Sequence, residues 1–165
     1  MRVAVVTISD SVSSGKYEDR SGPAVVARCK ELGWQVVVST ILRDDRSAIE
    51  TLLKEMADAT SAEIIDVIFT AGGTGLGPRD VTPEATIAVV ERLIPGFSEH
   101  MRSEGAKKTP RAILSRAVAG IRDETIIINL PGSPRGAVDS LDAIAELLPH
   151  AVAVLHGARH DSGPS

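Results

Sequence analysis

The sequence predicts an α/β fold of three layers, a mainly parallel sheet with helices on both faces. Three observations carry this expectation. Short β-branched apolar runs alternate along the chain with segments of helical periodicity, the pattern of strands joined by crossover helices. The runs are continuous, as strands covered on both faces require. Three junctions, Ser21-Gly22-Pro23, Thr82-Pro83 and Ser133-Pro134, place proline just after a residue able to cap a helix, so they read as strand-to-helix turns.

Val3 to Ile8 (VAVVTI) reads as the first strand, followed by a polar loop from Ser9 to Gly22 that is long for such a connection. Pro23 opens a helix to Leu32, which Gly33 stops. Val36 to Leu42 is the second strand. A helix from Arg46 to about Ala59 follows, with Ile49, Leu52, Leu53 and Met56 on one face. Ile64 to Phe69, broken only by Asp66, is a buried strand that ends in a glycine-rich turn. Glu84 to Leu93 reads as a helix broken by Pro95-Gly96, Phe97 to Gly105 as a short further helix, and SEGAKKTPRA as a polar surface connection. Val118 to Ile121 and Thr125 to Leu130 are strands joined by a turn at Arg122 to Glu124. A long helix from Arg135 to about Leu155, bent at Pro149, closes the chain. Residues 1–155 are expected to form one domain and residues 156–165 a polar tail.

Composition excludes several classes. The net charge is −4 and aromatics are 2% of residues, so the basic face and stacking platforms of a nucleic-acid binder are missing. No window approaches the ~18 apolar residues of a membrane span. The first apolar run is too short for a signal peptide, which makes the cytoplasm the expected location. Cys29 is the only cysteine, and its setting on the first helix suggests packing or surface rather than catalysis.

The chain is organised around VIFTAGGTGLGPRDVTP, Val67 to Pro83. Gly72, Gly73, Gly75 and Gly77 follow a buried strand and precede a helix start at Thr82-Pro83, with Thr82 expected at the N-cap. Strand, glycine turn and helix N-terminus make an anion site, because unpaired backbone N–H groups point outward and the helix dipole favours negative charge. No glycine is followed by Lys and then Ser or Thr, which excludes a P-loop, and SDSVSSG stands where a dinucleotide fingerprint would follow the first strand. The three proline turns lie at the carboxyl edge of a parallel sheet and are expected to share one pocket.

Asp10 ends the first strand, Asp44 and Asp45 the second, and Asp80 the glycine loop. Acids beside a phosphate loop would repel a bare anion, so a divalent cation such as Mg2+ reconciles them. Lys16, Arg20, Arg43, Arg79 and Arg135 could neutralise further phosphate charge, or be solvated surface residues. Ser9, Ser11, Ser13 and Ser14 lack a nucleophile elbow. His156 and His160 have metal-ligand spacing without the glutamate of a zinc protease.

TISDSVSSGKYEDRSGP, TAGGTGLGPRDVTPEAT, PGF and AILSRAVAGIRDETIIINLPGSPRGA together resemble the MogA/MoaB family of molybdenum-cofactor biosynthesis, from about Val3 to Leu155. Ala71 departs from the threonine common there. The resemblance implies a molybdopterin-binding α/β fold, usually a homotrimer, and transfer of AMP from ATP to the terminal phosphate of molybdopterin with release of pyrophosphate. It implies hand-over of the product to a MoeA-type molybdate-inserting protein. It places the family's acidic pair on Asp44 and Asp80 and its SDS motif on Ser9, Asp10 and Ser11. The glycine loop falls on Gly72, Gly73, Thr74 and Gly75, with Thr82 beyond it, and the PGSP turn on Pro131, Gly132, Ser133 and Pro134. Asp44 and Asp80 are then expected to position metal and nucleotide, with the glycine loop gripping the phosphorylated pterin. Competing readings are a MoaB-type protein that binds pterin without adenylylating it, another phosphate-handling enzyme on the same scaffold, and a purely structural trimer.

Overall fold

Residues 1–59 and 64–157 are described by a computed structural model. Strand β1 (Arg2–Ile8) leads through a short helix α1 (Asp10–Ser13) into α2 (Ser21–Glu31). Then come β2 (Gln35–Leu42), α3 (Arg46–Ala57), β3 (Val67–Ala71), α4 (Thr82–Val89), a two-residue β4 (Arg92–Leu93) and α5 (Pro95–Lys108). A 3-10 turn (Pro110–Leu114), β5 (Ala119–Arg122), β6 (Thr125–Leu130), α6 (Pro134–Ile144) and α7 (Leu148–Leu155) follow among the described residues.

The six strands lie in the order β2-β1-β3-β6-β5-β4. The first four are mutually parallel, β5 runs antiparallel to β6, and β4 runs antiparallel to β5. Alternate residues of each buried strand face opposite layers, which explains the unbroken apolar runs. Val3, Val5, Val67, Phe69, Ile126 and Ile128 pack with α2, α5, α6 and α7, whereas Ala4, Val6, Ile8, Ile68 and Ile127 pack with α3 and α4. From β1 the chain moves to β2 on one side and returns through α3 to β3 on the other. The carboxyl ends of β1 and β3 therefore flank a topological switch point, where open α/β sheets bind ligands. Among the described residues no helix is long and apolar enough to cross a membrane.

Several boundaries differ from the sequence expectation for identifiable reasons. β3 starts at Val67, directly after Asp66, whose carboxylate takes the Arg2 N–H at 2.6 Å at the edge of the ladder. The helix expected to reach Leu93 ends at Val89, since Glu91 and Ile94 donate their N–H groups to Ile121 and Ala119 and build the β4–β5 ladder. Pro95 starts α5 instead of ending a helix, and most of SEGAKKTPRA lies within α5 and the 3-10 turn. The closing helix is two helices, the second with Pro149 in its first turn. The Ser9–Gly22 loop contains α1, and α2 begins two residues before Pro23. Gly33, at φ +77, stops α2 as expected.

Candidate functional site

At the end of β3 the chain must turn sharply between neighbouring backbones. Gly72 adopts φ +114 with its N–H donated to the Leu130 carbonyl at 3.1 Å, and a Cβ there would collide with the Ile8 carbonyl oxygen. Gly73, at φ +64, faces the Thr82 hydroxyl and the Asp44 carboxylate; a Cβ on it would lie 2.9 Å from Asp44 Oδ1. These two positions admit only glycine without strain. Asp80 closes the loop, its Oδ2 accepting from the Gly77 N–H at 2.8 Å.

The strand ends are tied by their own acids. The Asp10 N–H donates to Asp44 Oδ2 at 2.8 Å, and the Asp44 N–H donates to Asp10 Oδ1 at 3.1 Å. Arg79, reaching from the glycine loop, donates to both Asp10 oxygens at 3.0 and 3.2 Å and to the Asp44 carbonyl at 2.9 Å. Asp44 is held above the usual carboxylate range chiefly by burial, with the charges of Asp10 and Asp80 adding to the shift and the Asp10 N–H and Arg79 opposing it.

Two clefts adjoin the loop, where the sequence suggested one pocket. The larger, about 590 Å³, runs past Thr74, Gly75 and Leu76 to Pro131 and Ser133, with Arg102, Lys108 and Arg111 contributing positive charge. The smaller, about 380 Å³, lies over the ends of β1 and β3, beside Ser9, Asp19, Arg20, Asp44 and Gly72. Gly73, Asp80 and Gly132 border both and form the wall between them.

The helix starts contribute unequally. Ser133 caps α6, accepting from the Gly136 N–H at 3.2 Å, and lines the larger cleft. Ser21 is not the cap of α2; Asp19 does that work, accepting from the Gly22 N–H at 3.0 Å and from the Thr7 hydroxyl at 2.7 Å. Thr82 is not an N-cap either. Val81 holds that position, and the buried Thr82 Oγ1 makes no hydrogen bond, although its N–H donates to the Gly73 carbonyl. Thr82 and Pro83 border neither cleft, so two helix starts, not three, reach the site. Ser9 caps α1 through the Val12 N–H at 3.3 Å and lies 3.2 Å from the Ser11 hydroxyl. Asp10 turns its carboxylate to Asp44 and Arg79 and lies outside both linings.

Of the cations considered from sequence, Arg20 lines the smaller cleft. Arg79 is engaged by Asp10, Arg43 pairs with Asp45 at 3.6 Å, Arg135 with Asp139 at 3.8 Å, and Lys16 sits over the Tyr17 ring. His156 faces the Glu124 carbonyl at 2.9 Å; His160 lies outside the described residues. Cys29 is fully buried in the core, and burial pushes its thiol up to about 12. Among the described residues no cluster of three or more His, Cys, Asp or Glu side chains is disposed to hold a metal. A cation here would have Asp44, Asp80 and substrate phosphates as its donors, an all-oxygen set suited to magnesium.

Sequence reasoning missed three supports. Arg116 donates from Nε to the Gly75 carbonyl and from Nη2 to the Asp80 carbonyl, both at 2.7 Å. Asn129 donates to the hydroxyls of Thr70 and Thr86 at 2.9 Å, and Thr86 donates to the Thr82 carbonyl, so a buried polar chain anchors the start of α4 to the sheet. Asp19 is the third. The asparagine was detectable as the one amide inside TIIINL, since a polar side chain in a buried strand needs partners. Arg116 and Asp19 carry no such local signal.

A family model described as "Probable molybdopterin binding domain" matches residues 4–150. A molybdopterin adenylyltransferase of Helicobacter pylori is 40% identical over 159 residues, 95% of this chain and 89% of its own length. The corresponding protein of Escherichia coli K12 is 39% identical over 148 residues, 88% of this chain and 74% of its own. Among solved structures, the molybdopterin biosynthesis enzyme MoaB of Thermus thermophilus superposes with a TM-score of 0.87 at 42% identity, over 94% of this chain and 96% of that one. The molybdopterin biosynthesis Mog protein of Mycobacterium ulcerans gives 0.85 at 35% identity, over 93% and 98%.

Proposed function

The chain belongs to the molybdopterin-binding family of molybdenum-cofactor biosynthesis, and from that premise we propose that it is a molybdopterin adenylyltransferase. It transfers AMP from ATP to the terminal phosphate of molybdopterin and releases pyrophosphate. The observation that supports this best is the pair of clefts meeting at Gly73, Asp80 and Gly132. A two-substrate transfer needs two binding sites whose reacting ends converge on one point, and here that point is a glycine loop at a switch point of the sheet.

The chemistry asks little of a proton-transfer residue. A phosphate monoester has a second pKa of about 6, so its oxygen is already a nucleophile at neutral pH. That oxygen bonds to the α-phosphorus while the bridge to the β-phosphate breaks, and the electron pair leaves on pyrophosphate. The obstacle is the repulsion of two polyanions, and alignment plus fixed positive dipoles overcomes it. Backbone N–H groups of the glycine loop and the start of α6 supply the dipoles, and Thr74, Gly75, Pro131, Gly132 and Ser133 shape the phosphate path. Asp44 and Asp80 position the nucleotide and would hold Mg2+, which supplies further charge neutralisation when bound. Their fit to a cation rests on Asp44, whose ionised form is disfavoured by burial and by two neighbouring acids. We assign neither aspartate an acid/base role.

In this reading the chain acts in the cytoplasm as a homotrimer and passes the adenylylated pterin to a MoeA-type partner. A pterin-binding protein without transferase activity is the second reading, supported by the family model, whose description names molybdopterin binding alone. Incubation with ATP, Mg2+ and molybdopterin separates them. Pyrophosphate that appears only when the pterin is present supports the transferase; pterin binding without pyrophosphate supports the binder.

A further inference from the structure

The segment from Leu76 to Arg79 is exposed, yet the residues at its two ends, Gly75 and Asp80, wall the clefts. Within the arc Gly77 and Asp80 exchange hydrogen bonds, and Arg79 ties its far side to Asp10 and the Asp44 carbonyl. Arg116 adds a hold from outside the loop that spans both of its ends. Its Nε–H donates to the Gly75 carbonyl and its Nη2–H to the Asp80 carbonyl, each at 2.7 Å, so one planar guanidinium bridges both ends of the arc. Its backbone N–H donates to the Thr74 carbonyl at 2.9 Å. The remaining arm, Nη1, pairs with Glu84 in the first turn of α4, and this contact holds the Glu84 carboxyl below its usual range. Among the described residues no other side chain donates to a carbonyl between residues 74 and 80.

We propose that Arg116 is a positioning residue for the transfer, a clamp that fixes Asp80 and the glycine loop in working geometry against α4. It borders neither cleft, although Ser115 and Ala117 on either side of it do, so it acts through the loop and not on substrate. The geometry calls for arginine specifically: three directed donors in one plane meet three acceptors on two elements, which a lysine ammonium on a flexible stem cannot reproduce. The kinetic consequence rests on the adenylyltransferase reading; the clamp itself does not.

The test compares wild type with Arg116→Gln and Arg116→Lys by amide hydrogen exchange and by steady-state kinetics. The amides of Gly77, Asp80 and Thr82, which are bonded within the loop, should exchange about tenfold faster in both variants, while those of β3 keep their protection. The kcat for adenylyl transfer should fall roughly a hundredfold with little change in KM for either substrate. If Arg116→Gln does not fold, Glu84→Gln, which frees one arm of the clamp, should show the same pattern in milder form. Unchanged loop exchange, or full turnover in the Arg116→Lys variant, would overturn the proposal. Loop loosening in a protein whose wild type releases no pyrophosphate would refute the transferase reading while upholding the clamp.

Discussion

Asp10 and Asp44 hold each other's backbone: the carboxylate of each accepts the main-chain N–H of the other, at 3.1 and 2.8 Å. The exchange fastens the ends of the adjacent parallel strands β1 and β2, and Arg79 locks it to the glycine loop. One oxygen of Asp44 is thereby engaged, while Oδ1 faces Gly73 and the wall between the clefts.

Asp10→Ala removes an acceptor for the Asp44 N–H and both carboxylate contacts of Arg79, leaving Arg79 only the Asp44 carbonyl. A loss of about 1–3 kcal/mol in unfolding free energy is expected, read from urea denaturation. Asp10→Asn keeps one acceptor oxygen and should lose less. An unchanged midpoint for the alanine variant would show that the exchange is ornamental to stability.

Asp44→Asn should leave the ligand-free protein at least as stable as wild type while turnover is lost. The sign follows from the raised folded-state pKa of Asp44. Its ionised form is less favourable folded than unfolded, so it opposes folding once the pH rises above its unfolded value. The advantage of the variant should therefore shrink as the pH falls through that range. Melting curves at neutral and acidic pH check this, and a variant less stable at neutral pH would contradict it.

Gly73→Ala meets both positive φ and a collision with the Thr82 hydroxyl, whereas Gly15→Ala meets positive φ in open space. The first should cost roughly 1–3 kcal/mol beyond the second and abolish transfer, since backbone strain and steric overlap add. Equal destabilisation by the two would mean that the loop yields without consequence.

The Cys29 thiol, buried and pushed up to about 12, should not react with a disulfide reagent at pH 8 in the native protein, and should titrate as one equivalent on denaturation. Rapid native labelling would show that α2 opens readily.

The layers of the fold were legible because β1, β3 and β6 are apolar on both faces and their helices carry strong start signals, Pro134 above all. β4 was not, because Arg92-Leu93 has no strand pattern and exists only through its pairing with β5. The meeting of the glycine loop with the carboxylates around it was legible, since glycine at Gly72 and Gly73 answers a purely local demand and the acids stand at strand and loop ends. The roles within that group were not. That Asp10 ties the two strand ends was invisible in the sequence, and Thr82, expected as the cap, is a buried hydroxyl behind Val81. Arg116 stands 36 residues beyond Asp80, and no periodicity links a side chain to a carbonyl at that separation.

The most direct measurement follows the α-phosphate of ATP in wild type and in Asp80→Asn, with pterin binding measured on both. Wild type should place label from the α-phosphate on molybdopterin with an equal amount of pyrophosphate released, and Asp80→Asn should bind pterin almost normally while transferring none. Label that stays on the nucleotide in wild type, or undiminished transfer by Asp80→Asn, would contradict a reaction centred on the glycine loop.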